Sequence, residues 1–142
     1  MKKNVIIIFI LLMILSFIVS YGIFNYRKNK LIEYNNKIKY EQFYNKEILG
    51  TDLLSIMNKV IDSNDKNLVD RDKKNNYINN NNNSIKLDIK FKEIDKTISI
   101  EKIESLGMNQ FLKNFRDFKF KCIKIEYHNE TQNIKYLLFE EI

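Results

Sequence analysis

From Val5 to Phe24 the chain runs 20 residues without a charged side chain. Ser16, Ser20, Tyr21 and Gly22 are its only weakly polar or small interruptions. Coiled into a helix, such a run spans about 30 Å, the depth of one hydrocarbon core. We therefore expect a membrane helix that contacts the lipid bilayer through residues 5–24. A secretory signal peptide is the rival, since Lys2 and Lys3 make a fitting basic start. Two features oppose cleavage. The run exceeds the roughly 7–15 residues of a signal's apolar region, and no Ala-x-Ala-like site comes after it. Cys122 is the only cysteine, which excludes a lipid-modified cysteine just after the run.

Orientation is pulled two ways. Arg27, Lys28, Lys30, Lys37 and Lys39 come after the run, and the positive-inside rule would keep them in the cytoplasm. A short basic tail before an apolar run is, however, how bacterial export begins. Heavy use of Lys, Asn and Ile is also what AT-rich coding would impose, so the later lysines weigh less. We expect an extracytoplasmic C-terminal domain in a single-pass protein of the cell membrane.

Beyond Phe24 the chain is long enough for one small domain and too short for two. Residues 25–50 carry Leu31, Tyr34, Ile38, Phe43 and Ile48 at roughly helical spacing, with no Pro or Gly before Gly50. They predict a helical stalk, whose aromatics would pack on the domain or form a seam for self-assembly or a protein partner. Gly50 reads as a helix stop, and Thr51 or Asp52 as the cap of a new helix. Leu53, Ile56, Met57, Val60 and Ile61 then keep an i, i+3, i+4, i+7, i+8 rhythm.

Residues 62–84 lose the rhythm and end in pure Asn from Asn79 to Asn83. So little apolar surface cannot offset ordering entropy, and a disordered Asn-rich loop is expected. Its Asp62, Asn64, Asp65, Asp70 and Asp72 suggest calcium, but the turn glycine and the closing Glu of an EF-hand loop are missing.

Four strands are predicted beyond. In the first, Ile85, Leu87, Ile89 and Phe91 alternate with Lys86, Asp88 and Lys90. After a turn at 92–96 comes Thr97 to Ile103, with Ile98 and Ile100 inward. Met108, Phe111, Leu112 and Phe115 mark a short helix. Phe118 to Tyr127 is the third strand, and its phase slip predicts a bulge near Cys122. His128 to Asn133 reads as a solvated turn, and Ile134 to Phe139 as the fourth strand. The fold class is then α+β: anchor 1–24, stalk 25–50, and a domain 51–142 whose helix covers a four-stranded antiparallel sheet with one short helix inserted. Ile56, Val60, Ile85, Leu87 and Ile89 should form one buried cluster.

The stretch Tyr44 to Asp62, with its Gly50-Thr51-Asp52 turn before a short helix, resembles a segment of small uncharacterised single-pass membrane proteins of Firmicutes-type bacteria. The plan of a long membrane helix leading into a sheet is similar to pilin-like and TadE-like surface proteins. A prepilin carries its Gly, then Phe and Glu, at the start of the apolar run; here Gly22 stands near the end. Neither resemblance assigns a functional residue.

Catalytic chemistry is hard to assemble from these residues. A net charge of +6 is spread among interleaved acidic residues, and Arg27, Arg71 and Arg116 form no dense patch, so no nucleic-acid partner is expected. Three glycines cannot make a phosphate loop or a dinucleotide turn. Cys122 reads as a small buried hydrophobe, and on a straight strand His128 would lie about 20 Å away, too far to activate it. One Cys and one His leave zinc short of ligands. Adjacent Glu140 and Glu141 would face opposite sides of a strand. We nominate no catalytic, cofactor-binding or metal residues. The sequence points to a membrane-anchored, non-enzymatic surface or assembly component. A ligand-binding or sensing module on the same scaffold, or a minor pseudopilin, would share the same outline.

Overall fold

The computed structural model describes residues 2–93 and 95–142; within the turn expected at 92–96, Ile94 lies outside them. The chain forms two compact units, one up to Asn35 and one from Asn36 to Ile142.

The first unit is helix. α1 runs Lys2–Glu41, and its last residues, from Asn36, belong to the second unit. Between Val5 and Phe24 every large apolar side chain is 49–69 % exposed. Apolar residues occur all round the helix, so no face is reserved for a protein core. Ser16 donates its hydroxyl to the Met13 carbonyl (2.8 Å), one turn back along the helix.

The second unit contains β1 (Glu47–Leu49), α2 (Gly50–Lys66), β2 (Lys86–Phe91), β3 (Lys96–Ser99), α3 (Ile100–Leu106), α4 (Met108–Phe115), β4 (Lys119–Tyr127) and β5 (Ile134–Glu141). Helices pack on a five-stranded mixed sheet of order β1-β4-β5-β2-β3. The α+β class holds; the four-stranded antiparallel sheet does not. β1 adds a fifth strand, pairing Ile48 with Phe120. β2 and β5 run parallel, Leu87 beside Leu137 and Ile89 beside Phe139. Alternation reports which face a strand buries but says nothing of its neighbour or direction. The β3-α3-α4-β4 excursion supplies the long connection that a parallel pair needs.

The stalk expected over 25–50 ends sooner. Tyr40 is buried and donates to the Lys59 carbonyl (3.2 Å), tying the end of α1 to α2. Gly50 does not stop a helix; it opens α2, with Leu49 as an extended N-cap that makes no side-chain bond. Its N–H donates to the Phe118 carbonyl (2.9 Å), and a Cβ there would overlap the Phe115 carbonyl oxygen. Glycine is needed for that close approach of two backbones.

α2 continues to Lys66, and the loop expected to be disordered takes a hydrogen-bonded path. Asn64, fully buried, donates to the Ile85 carbonyl and accepts from the Ile85 N–H, both at 2.8 Å. The side-chain Oδ1 of Asn80 accepts from the N–H groups of Asn82, Asn83 and Ser84. Asn side chains thus replace the missing apolar contacts with local backbone bonds.

The second expected strand is also cut short. Ser99 ends β3 and caps α3, its hydroxyl accepting from the Lys102 N–H (3.4 Å). Ile100 and Ile103, three apart, are buried by helical rather than strand spacing. The bulge in β4 falls where expected, between Cys122 and Lys124. Ile56, Val60, Ile85, Leu87 and Ile89 all belong to one buried cluster with Phe120 and Phe139.

Candidate functional site

The second unit gathers a polar cleft where the loop after α2, the start of β2 and the β3-α3 junction meet. Asn76, Tyr77, Lys86, Ser99 and Glu101 line it, and its volume is about 230 Å³. Each is placed by a local rule. The Ser99 cap turns the chain into α3 and sets Glu101 in its first turn. Strand alternation directs Lys86 away from the face that buries Leu87. Tyr77 is held by Arg71, whose guanidinium lies over the ring at 3.9 Å and donates to the Tyr77 hydroxyl. That hydroxyl in turn donates to the Asp65 carboxylate (2.6 Å). Arg71 also forks onto Glu104 at 2.8 and 3.3 Å. The bond to Glu104 holds the guanidinium proton more tightly than usual, while burial and Asp65 push the Tyr77 phenol well above its usual range.

Glu101 differs from these: the residue is 8 % exposed, and its carboxylate, which makes no hydrogen bond or ion pair with a described residue, opens to solvent in the cleft. Lys86 is half-exposed, and its ammonium sits 3.1 Å from Asp88. The cleft therefore carries one carboxylate, from Glu101, and one ammonium, from Lys86, with amides and hydroxyls beside them.

Two other clefts carry less chemistry. One of about 110 Å³ is apolar, walled by Phe91, Ile98, Phe111 and Phe115. A wider one of about 500 Å³ lies by Tyr44 and Tyr127, whose hydroxyl donates to Glu41 (2.7 Å). On the sheet face opposite Leu87 and Phe139, charges pair with one another: Lys90 with Glu140 (2.9 Å) and Lys124 with Glu126 (2.6 Å).

His128 is not a solvated turn residue. It is 2 % exposed, with Nε2 2.8 Å from the Ser84 carbonyl oxygen. Cys122 is fully buried, and burial pushes its thiol up to about 11. Four of the five residues weighed for calcium have other partners: Asp62 pairs with Lys66, Asn64 with Ile85, Asp65 with Tyr77, and Asp72 with Asn76. Among the described residues no group of three His, Cys, Asp or Glu could hold a metal ion.

Sequence reasoning put Glu101 on a strand and so missed the cleft. The available signal was Ser99 with Ile100 and Ile103 after it, a cap with helical spacing. Comparison with protein-family models, with curated proteins and with solved structures finds no match for this chain.

Proposed function

We propose that this is a non-enzymatic protein held in the cell membrane by α1, with its C-terminal domain on the extracytoplasmic side, acting as a surface or assembly component. The observation that carries this reading is the exposure of every large apolar side chain from Val5 to Phe24. About 30 Å of helix, apolar on all sides and uncharged, is suited to lipid rather than water. A long apolar helix near the N-terminus is the form that membrane anchors and signal sequences share, and its length favours retention. The buried, occupied state of Cys122 and His128 supports a non-catalytic role. Mass spectrometry of the mature N-terminus decides the matter: peptides from before Gly22 are expected. A mature chain beginning near Ile23 would make this a secreted protein and remove the anchor.

A second reading, a ligand-binding module on the same scaffold, is favoured by the polar cleft that Lys86, Ser99 and Glu101 line.

A further inference from the structure

Resting on the reading of an assembly component, we infer that a second copy of this chain docks on the outer edge of β4. Residues 123–127 of the two copies would pair antiparallel across a two-fold axis at Ile125. β1 covers only the start of β4, at Lys119, Phe120 and Lys121. Asn45 extends that cover by one position, donating its N–H to the Cys122 carbonyl (2.9 Å). Beyond it, no strand among the described residues pairs with 123–127 on that side. The hairpin fixes the backbone direction. The His128 N–H donates to the Asn133 carbonyl (2.9 Å) and so points towards β5. Alternation then turns the N–H and C=O of Tyr127 and Ile125 to the open edge. The cleft of about 500 Å³ lined by Glu41, Tyr44, Ile125 and Tyr127 lies along this edge. A further strand needs to approach only to about 4.8 Å from β4.

Charge selects both the occupant and the register. With the axis at Ile125, the two Ile125 residues exchange N–H and C=O bonds, and Lys124 of each copy stands opposite Glu126 of the other. Within one copy these two side chains are 2.6 Å apart and 55 % and 42 % exposed. Two copies therefore gather two ammoniums and two carboxylates in alternation, and neither existing bond has to break. An axis at Glu126 would set the two Glu126 side chains face to face, and one at Lys124 the two lysines; like charges directly opposite destabilise a sheet. Lysine on an edge strand ordinarily discourages pairing, but here Glu126, two residues on, answers it. Ile123 and Tyr127, 37 % and 36 % exposed, become cross-strand neighbours. The contact is small beside the roughly 20–30 residues that each side of a standard interface contributes. Association is accordingly weak, with a Kd of about 10–100 µM. Anchoring in one membrane would concentrate the copies enough to use it.

The test is sedimentation of the full chain in detergent micelles at about 5–200 µM, with peptide mapping of its N-terminus. The native chain should pass from monomer to dimer over that range. Glu126→Lys and Lys124→Glu, whose side chains are open to solvent, should each weaken the dimer about tenfold or more, because unlike pairs become like ones. The double variant Lys124→Glu/Glu126→Lys restores opposite charges in the same register and should regain native dimerisation. A chain that stays monomeric, with peptides from before Gly22 present, would overturn this inference, leaving the edge to a strand of a different partner and the anchored reading intact. A dimer indifferent to both single reversals would lie elsewhere on the molecule and refute the assignment. So would a dimer lost in the single variants and not regained in the double one. A dimer that follows the charges in a chain beginning near Ile23 would uphold the pairing and remove the anchor.

Discussion

Asn64 shows how one polar side chain can organise a long connection. Fully buried, it holds Ile85 through both its N–H and its C=O, so the loop must return to one place before β2 starts. Removing it strands two buried backbone groups. Asn64→Ala should therefore cost about 2–3 kcal/mol, whereas Asn81→Ala, at an exposed position, should stay within about 0.5 kcal/mol. Urea unfolding of residues 25–142 gives the comparison, and equal midpoints would refute it. Nothing in the Asn-rich composition separates these two asparagines; only the fold decides which one is enclosed. Cys122 is the converse case, since its burial was legible from the alternating run around it. With its thiol pushed up to about 11 by burial, native protein at pH 8 should resist iodoacetamide and react fully once unfolded. From about 9 to 11 the unfolded chain loses this proton before the folded one does, so Cys122 draws stability down as pH rises through that window.

Among the elements, α2 was the most legible, because its apolar stripe keeps helical phase from Leu53 to Val60. β2 was equally plain, because period two leaves one face apolar. Two such stripes each need cover, and they meet in one cluster. Ile56→Ala and Leu87→Ala should each cost about 2–5 kcal/mol in the same unfolding measurement, through lost contacts and the cavity left behind. Lys121→Ala, outside that cluster, should change stability by no more than about 0.5 kcal/mol. Losses of that small size from the two core changes would refute the packing. The elements that resisted reading are short. β1 is three residues long, and its pairing with β4 is decided by strand register, not by its own pattern. α3 is seven residues, too few for two full turns of periodicity to show.

For the whole molecule, the proposed anchor raises the question of the side of the membrane on which residues 36–142 would lie. Lys2 and Lys3 before the apolar run favour export; Arg27, Lys28 and Lys30 after it oppose it. Protease added to intact spheroplasts should degrade the C-terminal domain while cytoplasmic markers survive. Full protection, lost only when the membrane is opened, would place the domain inside.

By itself the sequence determined three things: an uncharged apolar helix long enough to cross a bilayer, an α+β domain, and the Ile56, Val60, Ile85, Leu87 and Ile89 part of its core. All three arise from local composition and period, which act between residues a few positions apart. Tertiary structure alone decided the rest. It made the β2–β5 pair parallel, drew residues 36–41 and 47–49 into the domain, closed the Asn-rich loop on Asn64, and buried His128 against Ser84. The Glu101 cleft belongs with these, because its walls come from three separate stretches of chain. Strand direction, edge pairing and the burial of a polar group depend on partners distant in sequence. Their energies exist only once the chain has folded back on itself.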